Sequence, residues 1–484
     1  MGADDYSIDI ARPLINTPAD IAYRIRWVLL TIALLCLAVG LLLAVSGTAS
    51  ATNGYFTHGT GTKNKGMAGA GISGADDSIS VANNPAAAVF AVGKLDVGAA
   101  LFNPLRTYST SASLANGQGG AFTIGPNNLD SAREYFVIPH VAYVWGIGAN
   151  SALGVAFYGR GGMNTKWEAG NATFDPDGPG PASVTTLPGT FGAGTAGVDL
   201  SQAFLDVAYP SKVGGRFAWG AALVFALQSF EAYGIGTFAG FTETFAISGG
   251  AVFPASLSDN GHEFSTGVGA KLGFDAALRD SASLAAMYQT KIGMSELDAY
   301  SDLFAQDGGF DIPANARIGL TFKASEGLSI SFDVEHIWYS DVDSVGNAFA
   351  NLFSCPTVNS MSTDFSGCFG GSNGAGFGWD DMTIYKVGIE WNTGSDWTWR
   401  AGYSNGSQPI PDTEVLLNIV APAVIEDHIA LGFTKKRGNG NEFNLSFMYA
   451  LEGKQSGINP FDPTQDIEIK MHQWELEVSY SWRF

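Results

Sequence analysis

The sequence predicts an all-β fold, a fourteen-stranded antiparallel transmembrane β-barrel. Three observations predict it: an unbroken alternating strand at the carboxyl terminus, thirteen earlier segments of the same kind, and connections that alternate between short and long. In the terminal strand Gln473 to Phe484, Trp474, Leu476, Val478, Tyr480, Trp482 and Phe484 fall on one face. Glu475, Glu477, Ser479, Ser481 and Arg483 fall on the other. This is period 2, which no helix converts into a single apolar face. Its length and its terminal aromatic suit a tilted membrane strand better than a half-buried soluble one.

The other strands, in order, are Leu95 to Leu101, Tyr135 to Trp145, Leu153 to Tyr158, Ser201 to Tyr209, Phe217 to Phe230, Glu263 to Phe274 and Ser283 to Ile292. Then come Pro313 to Phe322, Leu328 to Trp338, Thr383 to Trp391, Trp397 to Tyr403, Ile429 to Thr434 and Phe443 to Ala450. An even number returns both ends of the barrel to one side. Short links such as Gly146 to Ser151 and Asn392 to Asp396 read as periplasmic turns. Long ones such as Gly159 to Leu200, Tyr339 to Met382 and Leu451 to Met471 read as external loops. Closure also removes the unpaired edges that lipid would not tolerate.

Composition agrees. The chain has 484 residues with 62 glycines, 12% aromatic and only 15% charged residues, and its mean hydropathy of +0.11 comes without repeated long apolar runs. The net charge of −21 excludes nucleic acid as a partner, because phosphate binding requires a basic face.

The one long apolar run, Trp27 to Val45, follows Arg24 and Arg26 and precedes the small residues Ser46 to Ala51. It reads as a secretory signal cleaved after Ala49 to Ala51, although a run of this length also suffices for a membrane anchor. The expected organisation is a signal peptide at 1–51, an amino-terminal segment at 52–92 and the barrel at 93–484. The segment before the first strand is rich in Gly and Ala and has no strand period. It is either a solvated tail or a small plug folded inside the barrel.

Two cysteines follow the signal, Cys355 and Cys368, in one Gly/Ser/Asn-rich stretch. Oxidising conditions outside the cytoplasm favour a disulfide between them over two inert thiols.

Asn53-Gly54-Tyr55-Phe56, the Gly-rich run to Gly71, Asp76-Asp77 and Asn84-Pro85-Ala86 resemble the amino-terminal hatch of the FadL/TodX family. Trp397 to Tyr403, Gln408 to Asp412, Ala421-Pro422, Asn459 to Pro463 and Gln473 to Phe484 extend the resemblance along the chain. The family comprises outer-membrane transporters of long-chain fatty acids and other hydrophobic compounds. The resemblance implies a hatch at 52–92 closing the lumen, with Asn53, Gly54, Tyr55, Phe56, Asn84, Pro85 and Ala86 at the hatch or its gate. It also implies capture by outward loops and, as in some members, sideways exit through a wall opening at a kinked strand. Pro139, which removes one ladder hydrogen bond from its strand, is the candidate kink; a local bulge without transport role is the alternative.

Strand phase turns Lys271, Arg317, Lys386 and Arg400 toward the lumen, since a lipid-facing Lys or Arg at mid-depth costs about 2–4 kcal/mol. Each is a candidate for holding a ligand carboxylate beside an apolar pocket. The alternative is pairing with lumen acids such as Asp333, Glu335, Glu390, Glu475 and Glu477. Aromatics of two long loops, among them Phe230, Phe238, Phe241, Phe349, Phe353 and Phe369, form either a hydrophobic capture groove or a loop core.

No catalytic residues, metal or cofactor are expected. The six histidines, His58, His140, His262, His336, His428 and His472, make no short motif with a Ser nucleophile or with metal spacing. The expected function is uptake of hydrophobic small molecules, foremost long-chain fatty acids, by diffusion through a hatch-gated barrel. Aromatic hydrocarbon uptake is the alternative, followed by a general porin, which would not need a hatch. The expected setting is the outer membrane of a Gram-negative bacterium, where a monomer contacts lipid and lipopolysaccharide.

Overall fold

The computed structural model describes residues 53–175, 184–357 and 360–484; the expected signal segment 1–51 lies outside the described residues. Fourteen long strands follow one another around a ring: β1 (Lys94–Thr110), β2 (Phe136–Ile147), β3 (Ser151–Asn164), β4 (Gly197–Val213), β5 (Phe217–Tyr233), β6 (Glu263–Arg279) and β7 (Ala282–Gln289). The second half is β8 (Asn315–Lys323), β9 (Leu328–Ile337), β10 (Met382–Asn392), β11 (Trp397–Gly406), β12 (Asp427–Lys436), β13 (Glu442–Asn459) and β14 (Asp462–Arg483). Each pairs antiparallel with its neighbours, and β14 closes on β1 from Arg483 opposite Lys94 to Ile467 opposite Thr110 without a register shift. The fourteen strands and the closure agree with the sequence reading.

The strands run further outward than their apolar alternation extends. The expected long loop Leu451 to Met471 is instead a continuation of β13 and β14 around a turn at Pro460 and Phe461, and β1 likewise continues from Leu101 to Thr110. Outside the membrane the ladder needs no apolar face. Glu452, Lys454, Ser456 and Glu468 therefore occupy strand positions that carry no membrane pattern.

Side-chain alternation sorts the wall into two faces. Outward Leu223, Phe264, Leu272, Ile318, Phe332 and Leu431 are all more than half exposed or close to it, forming an apolar band that water would not sustain. Many inward positions are polar: Asp206, Lys271, Asp333, Lys386, Ser446 and Glu477 are all buried.

Candidate functional site: the occupied lumen, the wall gap and the loop aromatics

Residues 53–92 contact inward-facing groups on strands all around the ring. Backbone amides of Ile72, Gly74 and Ser78 donate to the carboxylates of Asp333 on β9, Asp275 on β6 and Asp96 on β1. Asn84 donates to the Phe274 carbonyl, and the ammonium groups of Lys271 and Lys386 donate to the carbonyls of Ala82 and His58. Lys65 reaches Glu475 at 2.8 Å and Glu477 at 2.7 Å on β14, and Lys63 reaches Glu442 at 2.7 Å on β13. Two wall glycines make this approach possible. A Cβ on Gly402 would stand 2.1 Å from the Met67 carbonyl carbon, and one on Gly220 would stand 2.5 Å from that of Pro85.

The charges in this segment are shaped by that contact. Burial alone would lower the Lys65 ammonium, but Glu475 and Glu477 hold it above the usual lysine range. Burial and the neighbouring Lys65 keep the His58 imidazole well below its ordinary value, hence neutral. Asn84 caps the short turn Pro85–Phe90 by accepting from the Ala86 amide, so Asn84, Pro85 and Ala86 act together as one structural unit against β5 and β6.

All four cations expected in the lumen face inward, and each has an acid partner. Lys271 pairs with Asp206 at 2.7 Å, Arg317 with Asp333 at 2.6 Å, Lys386 with Glu335 at 2.6 Å and Arg400 with Glu390 at 2.6 Å. The geometry is that of the alternative reading, with Asp206 an added partner. A fifth inward cation, Arg160, lies with its guanidinium carbon 4.4 Å from the Phe56 ring centroid and donates to Gln289 at 2.6 Å. Its phase with Ala156 and Tyr158 would have revealed it had β3 been read past Tyr158.

The ring is incompletely paired between β2 and β3. Between β2 and β3 the ladder runs from Ile147–Ser151 only as far as His140–Tyr158. Phe136 to Pro139 pair with β1 alone, and Gly161 to Asn164 pair with β4 alone. Pro139 thus sits just past the end of this ladder, at a gap in the backbone pairing of the wall. There the amino-terminal segment supplies the missing partner: the Thr57 amide donates to the Arg160 carbonyl and the Gly162 amide to the Tyr55 carbonyl, both at 2.9 Å. Gly54 adopts φ 64° just before Tyr55, a left-handed backbone that favours glycine.

Above this junction the external loops converge on the same aromatics. Tyr55 packs against Phe310, Tyr339 and Trp379 with ring centroids 5.1–6.3 Å apart. Further out, Phe122, Phe238, Phe241, Phe349 and Phe353 surround Phe461. Most expected loop aromatics are therefore a buried loop core; Phe353, at 55% exposure, still faces solvent. The disulfide Cys355–Cys368, with Cα atoms 4.6 Å apart, staples one of these loops. Below the segment lies a polar cavity of about 290 Å³, lined by Lys63, Asp76, Glu390, Arg400, Lys436 and hydroxyl side chains of β7 to β12.

No family model and no curated protein sequence matches the chain. Solved structures do. The toluene transporter TodX of P. putida superimposes with a TM-score of 0.57 at 17% identity, covering 88% of this chain and 99% of TodX. A FadL homologue of Pseudomonas aeruginosa gives 0.59 at 16% identity, covering 89% of this chain and 100% of the homologue. The Ralstonia pickettii toluene transporter TbuX gives 0.51 at 15% identity, covering 88% and 99%. With its fourteen strands closed in sequence order, this chain has the fold of the FadL/TodX outer-membrane channels.

Proposed function

We propose that the protein takes up hydrophobic small molecules across the outer membrane of a Gram-negative bacterium, by diffusion through a barrel gated by residues 52–92. The observation that carries this reading is the junction at Tyr55 to Thr57. One short piece of chain meets the loop aromatics above and fills the gap in the wall at its side. A solute that displaced it would pass from an apolar layer directly to lipid. The polar, charged cavity beneath favours this sideways exit over an axial one, because an apolar solute gains nothing by entering it. As in the sequence reading, the working unit is a monomer surrounded by lipid and lipopolysaccharide.

Both long-chain fatty acids and aromatic hydrocarbons suit such a route. The pairing of Lys271, Arg317, Lys386 and Arg400 with acids favours the uncharged class. Transport assays with labelled toluene and a labelled long-chain fatty acid test the reading, run on cells carrying the intact chain or one lacking residues 53–90. The expected result is saturable uptake of at least one solute by the intact chain and an increased small-ion conductance after deletion. Unchanged conductance after deletion would remove the gate from the proposal, and no uptake of either solute would overturn it.

A further inference from the structure

Three strands end in a row of potential metal ligands at the outer rim, on the face away from the lumen. Asp199 on β4 pairs directly with Glu231 on β5. Glu263 of β6 pairs with Phe230, so His262 stands one position beyond, level with Glu231. Their phase is that of the outward residues Phe225 and Phe264, and the row lies just beyond the apolar band. His262 Nε2 lies 3.3 Å from Asp199 Oδ2, and His262 Nδ1 lies 3.2 Å from Glu231 Oε2. One ligand atom from each residue falls within 4.8 Å of the other two.

From this arrangement we propose that Asp199, Glu231 and His262 form a binding site for a borderline divalent cation, with Zn²⁺ the representative ion. At metal–ligand bonds of about 2.0–2.2 Å, tetrahedral ligands stand about 3.3–3.6 Å apart. The two short approaches here use different ring nitrogens, so the imidazole must turn to offer one nitrogen to an ion shared with both carboxylates, starting from donors within 4.8 Å of one another. The register of three paired strands fixes the backbone positions, so side-chain rotation alone brings the donors together. An imidazole beside two carboxylates selects borderline cations over Mg²⁺ or Ca²⁺, which prefer all-oxygen shells. The side chains of His262 and Glu231 are 30% and 23% exposed, which leaves a fourth position open to solvent, while Asp199 is buried.

Two features set the affinity. Arg133 lies 3.2 Å from the same Asp199 oxygen and offsets part of the carboxylate charge, which limits binding strength. Each ring nitrogen of His262 now faces a different carboxylate, so the imidazole must reorient to serve as a ligand, which also limits binding strength. When filled, the site ties together the strand ends from which the loops 165–196 and 234–262 emerge.

The test is calorimetric titration of the folded full chain in detergent with Zn²⁺ at pH 7.5, with Mg²⁺ as a comparison. The expected result is one saturable Zn²⁺ site with no Mg²⁺ counterpart, weakened about tenfold or more in both His262→Ala and Glu231→Gln. Folding of each variant is checked by the heat-dependent gel mobility of the barrel. Absence of saturable Zn²⁺ binding, or equal binding by two folded variants, would overturn the site and leave His262 as an imidazolium clasp between two acids.

Discussion

Lys65 Nζ lies 2.7 Å from Glu477 Oε2, joining the amino-terminal segment to the last strand with both side chains buried. Glu475 accepts from the same ammonium at 2.8 Å. Breaking a buried pair by removing one partner typically costs about 3–5 kcal/mol, because it leaves an uncompensated charge. Lys65→Ala leaves two such carboxylates side by side on β14. Loosened docking of residues 53–92 is expected, seen as a raised small-ion conductance in planar bilayers with the barrel itself still folded. Lys65→Arg keeps the charge and is expected to conduct nearly as the parent does.

The wall gap yields a different expectation. A Cβ on Gly159 would stand 2.8 Å from Ile138 Cγ2, across the place where β2 and β3 part. Gly159→Val therefore crowds the gap while leaving the loop aromatics untouched. Uptake of the transported solute is expected to fall several-fold, with solute binding retained in a fluorescence titration of the purified protein. Undiminished uptake by a folded Gly159→Val protein would place the exit elsewhere.

How much of this was legible in the sequence follows from the range of the interactions. Alternation is local, so the inward phase of Glu475, Glu477, Lys271 and Arg317 could be read directly; the hairpin register sets Arg317 opposite Glu335, whereas its ion pair goes diagonally to Asp333. Lys271 finds Asp206 two strands away, and no local pattern announces that. The upper halves of β13 and β14 escaped because membrane strands are recognised by their lipid face, and Glu452 to Ser456 have none. Asp199 and Glu231 face each other far from the short β4–β5 turn, and their meeting with His262 depends on register across the long connection 234–262, which spacing along the chain does not encode.

Asp77 gives the segment a pH dependence. Burial, reinforced by Asp96, raises its carboxyl from the ordinary aspartate value to about 7. A group whose pKa is raised on folding stabilises the docked state when protonated; that contribution is complete below its unfolded value and is lost as pH rises through 7. Asp76, which Lys63 holds well below the usual range, acts oppositely, but its contribution is lost only as pH falls below the unfolded value. From about pH 4 to 7 the Asp77 contribution falls with rising pH, while His58, held below its ordinary value, acts in the opposite direction below about pH 6.5, so the Asp77 share is isolated by substitution. Leak conductance is expected to be higher at pH 8 than at pH 5.5 in the parent, with that difference reduced in Asp77→Asn.

The buried ion pair between Lys271 and Asp206 offers a test of whether a lumen cation meets the solute on the proposed route. Both side chains are fully buried, and the Lys271 ammonium also donates to the Ala82 carbonyl of the amino-terminal segment and to the Tyr158 hydroxyl. With Asp206 in place, the cation is committed to protein groups. Asp206→Asn removes the balancing charge while keeping the side-chain shape, so an incoming carboxylate would meet a cation lacking its counter-ion. Hydrogen bonds to charged groups contribute about 1.5–3 kcal/mol, equivalent to roughly tenfold to a hundredfold in affinity. The variant is expected to gain affinity of that order for a fatty acid over the corresponding fatty alcohol, measured by competition against a fluorescent ligand. Equal gains for acid and alcohol would mean that the substitution loosens the lumen and that Lys271 does not meet the solute.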